Sequence, residues 1–540
     1  MALPPNTSEA KFASVLAEFR AAVGDAWVFS SKDDVALYRD SYSIYWGEPE
    51  ERVASAAVAP ANVEQVQQIV RIANKYKIPL YPISTGRNLT YGGSAPTLSG
   101  SVVVDLKRMN RILEVDEDRH FAVVEPGVSY FDLYNYITER GLKVMLDVPD
   151  PGWGSPIGNS LDHGVGYTMA PFRDHFGSHC GMEVVTPEGE IIRTGNGALP
   201  GSDSWQEYRY GVGPSVDGLF AQSNFGIVTK MGFWLMPLPE TFLTGTVMAP
   251  RYQDFDALIK EVSYLEDSFL VGMPRYGSPA RGPGFLGASP ALARLMEGGW
   301  PSADKLEDFV RSQGTPAWSV MLPFYGPEET VRASWAAAKR RFAARIPGAT
   351  FQDGELSRLP LARDAIERFP LKPNVGIPAL EIFAMVARNP LTDSDPSDGH
   401  ADFFTFVPRK AAAVSEAARV MAETYAEMGL PPLHNPFTTP INYYSRSFIV
   451  ATVVPTWRDP AKNARSRALF SRIIDRVGEH KWGTYRTSPA FQEQAVSKFS
   501  FNNNSLLRFQ EKLKDSIDPN GIIAPGRYGI WPASMRKGRA

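Results

Sequence analysis

Hydrophobic positions along the chain follow two different periods. In the N-terminal half, short apolar runs alternate with longer stretches of helical spacing. AAVAP (56–60) predicts a strand that a proline closes. Asn62, with Gln65 three residues on, has the form of a helix start, and Val66, Ile69, Val70 and Ala73 then fall on one helical face. IPLYPIS (78–84) returns as a strand, so residues 56–84 predict a β-α-β unit with a right-handed parallel crossover. Strands follow over 100–106, 111–117 and 121–126, then a helix around YFDLYNYITERG (130–141). From about residue 245 the texture changes: helical stretches at 410–429 and 462–480 flank a strand-like SFIVATVVP (447–455). The final DPNGIIAPGRYGIW (518–531) is turn-rich yet apolar, which predicts a strip docked on the first domain.

Length changes this picture only by requiring more than one core: 540 residues exceed what a single domain usually holds. A formal charge of −3 gives no electrostatic case for nucleic acid or an acidic membrane surface. No apolar run approaches the roughly 18 residues that a membrane span needs. One cysteine, Cys180, excludes an internal disulfide and a cysteine-ligated zinc cluster. His175 and His179 have an i, i+4 spacing, but nothing in the sequence completes a metal site, so no metal is expected. The start MALPPNTSEAKF lacks the basic and apolar regions of a signal peptide, and a cytoplasmic, reducing setting is expected.

Candidate chemistry begins at PISTGRNLTYGG (82–93), a glycine-rich loop directly after a strand. Glycines there let backbone N–H groups approach phosphate closely, and Ser84, Thr85 and Asn88 add side-chain donors. The loop is neither G-x-G-x-x-G nor a P-loop, and a structural turn would explain it as well. Four further stretches accompany it: LDVPDPGWGSPIGNSLDHGVGYT (146–168), GMEVVTPEGEIIRTGNGALPGSD (181–203), SNFGIVTKMGFWLMP (223–237) and WGTYRT (482–487), ahead of DPNGIIAPG (518–526).

In that order, these stretches resemble the vanillyl-alcohol oxidase family, most closely its 4-phenol-oxidizing branch. The resemblance implies an α+β, two-domain fold: an FAD-binding domain over 1–244, a cap of antiparallel sheet covered by helices over 245–481, and a return to the first domain over 482–540. It implies FAD held by Pro82, Ile83, Ser84, Thr85, Gly86, Arg87, Asn88, Pro149, Gly154, Ser155, Gly158, Asn159, Gly166, Gly226, Ile227 and Arg527. His400, in PSDGHADFFTF, matches the histidine that bonds covalently to the flavin in the family's oxidases. Tyr91, Tyr485 and Arg486 match the residues that hold a substrate phenol as phenolate, and Tyr167 a further tyrosine of the pocket. Ionising a phenol at neutral pH costs about 4 kcal/mol, which several charge-assisted hydrogen bonds can offset. Asp150 matches an aspartate placed to take a proton from water adding to a p-quinone methide.

Departures from the family pattern are also visible. Arg527 stands where lysine is common, and NYYSRSFIV (442–450) lacks a histidine pair found in relatives. The loop after Leu199 is short compared with octamer-forming relatives, which implies a homodimer. The resemblance thus implies an oxidase of para-substituted phenols that uses dioxygen and releases hydrogen peroxide. Its rivals are a cytochrome-coupled dehydrogenase of the same substrates, an FAD-linked oxidoreductase of hydroxy acids or sugar alcohols, and a non-catalytic flavin-binding module.

Overall fold

The computed structural model describes residues 2–282, 287–381 and 399–536. The first sheet contains strands Val28–Phe29, Ala56–Val58, Val102–Asp105 and Leu80–Ile83, side by side in that order. Ala56–Val58 and Leu80–Ile83 both run parallel to Val102–Asp105, which lies between them. The helix joining them is Val63–Tyr76; the Asn62 side chain accepts from Gln65 N, and Gln65 reciprocates by accepting from Ala61 N. Its apolar stripe, Val66, Ile69, Val70 and Ala73, is fully buried. A second sheet is antiparallel throughout, with strands Ile112–Asp116, Phe121–Val124, Ile227–Trp234, His179–Val185 and Ile191–Arg193.

The later part of the chain builds antiparallel sheet too. Thr241–Ala249 pairs along its length with Trp318–Gly326, and Gly399–Pro408 pairs end to end with Ser447–Thr456. Helices Ala411–Glu427 and Pro460–Glu479 cover this last ribbon: Val420, Met421, Tyr425, Leu469, Phe470 and Ile473 form one core with its Ala401, Phe403 and Val453. This is an α+β fold. No helix among the described residues is long and apolar enough to cross a membrane.

The C-terminal strip lies along the first sheet. Leu80 N donates to Ile522 O at 2.6 Å and Ala524 N to Leu80 O at 2.8 Å, so the strip extends the sheet at the strand that leads into the glycine-rich loop. Lys514 anchors it: its fully buried ammonium donates to Asn224 O, Asp518 Oδ2 and Ile523 O at 2.6, 2.6 and 2.7 Å. Burial lowers the Lys514 pKa, and Asp518 opposes that effect. Lys514→Met removes the cation from a buried pair, and we expect a loss of about 3 kcal/mol. A lowered urea midpoint with an unchanged slope is the measurement that checks it.

Candidate active site

Strand Leu80–Ile83 ends at the floor of a cleft of about 1100 Å³, part of it open to solvent. Residues 82–88 line it, together with Gly154, Ser155, Gly158, Asn159, Gly226, Ile227 and Arg527. Gly86 has φ +68°, and a Cβ there would lie 2.3 Å from Ser94 Oγ, so the loop turns where only glycine is unstrained. At Gly158 a Cβ would lie 2.1 Å from Ser84 Oγ; the helix Pro156–Leu161 can approach the loop only because that atom is missing. Backbone N–H groups of residues 85–88 donate to no other described residue. They form the unsatisfied donor row that a pyrophosphate accepts. The residues fit FAD.

Pro149, Gly166 and His400 are outside the lining of this cleft. Gly166 packs against the Asp147–His175 pair, where a Cβ would collide with Asp147 Oδ1, so its smallness serves packing behind the cleft. His175 and His179 belong to separate pairs, to Asp147 at 2.8 Å and Asp217 at 2.9 Å. No group of three potential metal ligands occurs among the described residues.

Tyr91, Tyr485 and Arg486 come together although nearly 400 residues separate the first from the others. The Arg486 guanidinium lies 4.2 Å from the Tyr91 ring centroid and 5.0 Å from that of Tyr485. Both tyrosine hydroxyls, and Arg486 Nε, are buried without a hydrogen-bond partner among the described residues. Burial raises the pKa of Tyr91 well above the usual phenol range, and that of Tyr485 to about 12, while the Arg486 charge pulls both back. At neutral pH both are therefore protonated donors. Two buried O–H groups thus belong to rings packed against one buried cation, an arrangement suited to an oxyanion. Arg486 also lines the larger cleft, so the cluster opens into it.

The Tyr167 ring is 6.0 Å from and nearly perpendicular to that of Tyr443. Burial raises the pKa of both hydroxyls, and the Asp150 carboxylate nearby adds to the effect on each. Tyr444 packs on Tyr485 at 5.9 Å and donates to His163 O at 2.6 Å. His400 is buried in strand Gly399–Pro408, its ring 5.4 Å from that of Tyr42 and its Nε2 3.6 Å from Asp402 Oδ2.

Sequence reasoning missed two carboxylates. Asp162 accepts from Asn88 Nδ2 at 3.0 Å and Arg527 Nη2 at 3.0 Å, and sits 3.8 Å from Arg486 Nη1. It ties the loop, the C-terminal strip and the tyrosine cluster together, and no local pattern marks it. Asp402 had a signal: in HADFFTF it falls two residues after His400, on the same face of a strand.

The chain was compared with known proteins. A profile of the FAD binding domain family matches residues 54–195. Over 98% of this chain and 97% of the relative, it is 32% identical to the 4-cresol dehydrogenase [hydroxylating] flavoprotein subunit of Pseudomonas putida. A solved structure of 4-ethylphenol oxidase from Gulosibacter chungangensis, in complex with isoeugenol, superposes with a TM-score of 0.81 at 33% identity, covering 99% of this chain and all of that one. Another, of p-cresol methylhydroxylase with substrate bound, gives 0.79 at 29% identity over 98% of this chain and 99% of that one.

Proposed function

The chain belongs to the vanillyl-alcohol oxidase/p-cresol methylhydroxylase family of FAD-dependent oxidoreductases, and we propose that it oxidises para-substituted phenols bound as phenolates by Tyr91, Tyr485 and Arg486. The observation that carries this reading is the pair of buried, unpartnered tyrosine hydroxyls beside one buried guanidinium. Relatives named for 4-cresol, 4-ethylphenol and p-cresol support the same substrate class.

Residues 82–88 and the Gly154–Asn159 stretch, which line the cleft, would hold FAD, which would supply an acceptor for the benzylic hydride. The clamp residues keep the substrate ionised, so that its ring electrons can expel that hydride. The product is a p-quinone methide, electrophilic at the benzylic carbon. Asp150 takes the proton of a water that adds there, or a side-chain proton where desaturation competes. Tyr167 and Tyr443 shape the wall on the Asp150 side.

We assign the electrons to dioxygen, with hydrogen peroxide released, and a covalent flavin link to His400, which would raise the flavin potential. His400→Ala is expected to release all flavin colour on acid precipitation, whereas the parent protein keeps it in the pellet. Hydrogen peroxide release across 4-ethylphenol, vanillyl alcohol and eugenol-type compounds tests the substrate class. The relative named as a flavoprotein subunit favours one second reading, electron delivery to a partner protein. Reduced enzyme that air reoxidises slowly and a cytochrome c reoxidises fast would replace the oxidase reading with that one.

A further inference from the structure

Strand Gly399–Pro408 has two unlike faces. Ala401, Phe403, Thr405 and Val407 are buried, Phe403 against the covering helices. His400, Asp402, Phe404 and Phe406 share the other face. Their neighbours identify what that face looks at. The Phe404 ring is 6.5 Å from that of Tyr91 and 5.8 Å from that of Tyr485, and the Phe406 ring is 5.5 Å from Tyr485. Asp402 thus occupies the place between His400 and the residue that touches both clamp tyrosines. Its carboxylate lies 3.6 Å from His400 Nε2.

Groups that face it come from several elements: the cations are Arg486 and, when protonated, His400; the hydroxyls are Thr90, Tyr42, Tyr91, Tyr425 and Tyr443. Arg486, which also lies 3.8 Å from Asp162, is the one permanent positive charge among these groups. A phenolate entering this site would place a second anion beside Asp402 with no second fixed cation among the groups that face it, Arg527 being held by Asp162, and two buried like charges cannot both persist at close range. Removing one of the two negative charges resolves this, and the phenol brings the proton that does so.

We propose that Asp402 is the base that accepts the phenolic proton as substrate binds. The inference rests on the phenol reading above. The aryl O–H bond breaks, its electron pair stays on oxygen facing Tyr91, Tyr485 and Arg486, and the Asp402 carboxyl gains the hydrogen. The buried site keeps the same net charge before and after. When water adds to the quinone methide, the same proton returns to the regenerated phenol oxygen. Burial already raises the Asp402 pKa above the ordinary carboxylate range, with His400 and Arg486 opposing.

The test uses the FAD-loaded protein and 4-nitrophenol, a chromogenic phenol with no benzylic hydrogen to lose. At about pH 6 the free ligand is mostly protonated. Binding to the parent protein should produce the phenolate band with no net release of protons to a weakly buffered indicator solution. Asp402→Asn should bind at least tenfold more weakly at that pH, recover affinity as the pH rises, and release one proton for each phenolate bound. One proton released per ligand by the parent protein overturns the proposal, whether or not the variant folds. An Asn variant with unchanged affinity and no proton release overturns it too. Failure of the parent protein to bind any phenol would instead bring down the phenol reading itself.

Discussion

Arg486→Ala is expected to lower kcat/KM for a 4-alkylphenol about a thousandfold, with FAD content within a factor of two of the parent. Hydrogen bonds to a charged group contribute about 1.5–3 kcal/mol each, and a guanidinium offers two to one oxyanion. About 4 kcal/mol of lost stabilisation corresponds to three decades of rate. The loss should appear in the rate of flavin reduction as well as in substrate affinity, because the negative charge on the phenol oxygen must persist until hydride leaves. Arg486→Lys keeps the charge but not the planar fork, and should recover only part of the loss. Tyr485→Phe removes one donor and should cost about tenfold. Arg486 also lies 3.8 Å from Asp162, which Arg527 holds at 3.0 Å, so Asp162 retains a cation in the variant. A variant that oxidises phenols at parental rates but binds FAD poorly would move Arg486 from substrate to cofactor. Unchanged turnover of a hydroxy acid or sugar alcohol, alongside lost phenol oxidation, would separate the clamp from general flavin chemistry.

The local parts of this architecture were legible in the sequence because their causes are local. The helix Val63–Tyr76 announces itself through Asn62, Gln65 and a four-residue apolar stripe, and strand Ser447–Thr456 through a dense β-branched run. The loop at residues 82–93 was legible as a close-approach turn because glycine spacing controls backbone approach over a few residues. The order of strands was not. Val102–Asp105 lies between two strands that precede it in the chain, a long-range choice set by which faces bury together. The pairing of Tyr91 with Tyr485 and Arg486 has no local cause either, and became visible only through resemblance to a family. Asp162 escaped altogether: a lone aspartate at the end of a short helix looks like a turn residue until Arg527, 365 positions away, closes on it. Gly166 needs the absence of Cβ because Asp147 packs against it, a cause that lies 19 positions away and is invisible in the local sequence.

Glu266→Ala should destabilise the protein by about 3–5 kcal/mol and loosen the wall of the substrate pocket at the same time. Glu266 and Arg173 are each 1% exposed and hydrogen-bonded to one another. Arg173 ends helix Ala170–Arg173 and Glu266 lies in helix Phe255–Asp267, so the pair pins two elements 93 positions apart across a buried seam. Asn442 also donates to Glu266, while Arg173 Nε donates to Tyr443 O at 2.8 Å. The backbone that presents Tyr443 to Tyr167 is thus held from both sides. Without the carboxylate, Arg173 becomes an uncompensated buried charge, the case for which the penalty is largest. Replacing both partners, Arg173→Met with Glu266→Leu, removes the stranded charge and should recover most of the stability, since a buried ion pair is often no better than apolar packing. The double variant should still show a raised KM for 4-ethylphenol, because the bond to Tyr443 O is gone. Urea unfolding followed by tryptophan fluorescence, with kcat and KM measured on the same preparations, separates the two effects. A single variant that loses less than about 1 kcal/mol would mean that water reaches Arg173 and that the seam is not the anchor of the pocket wall.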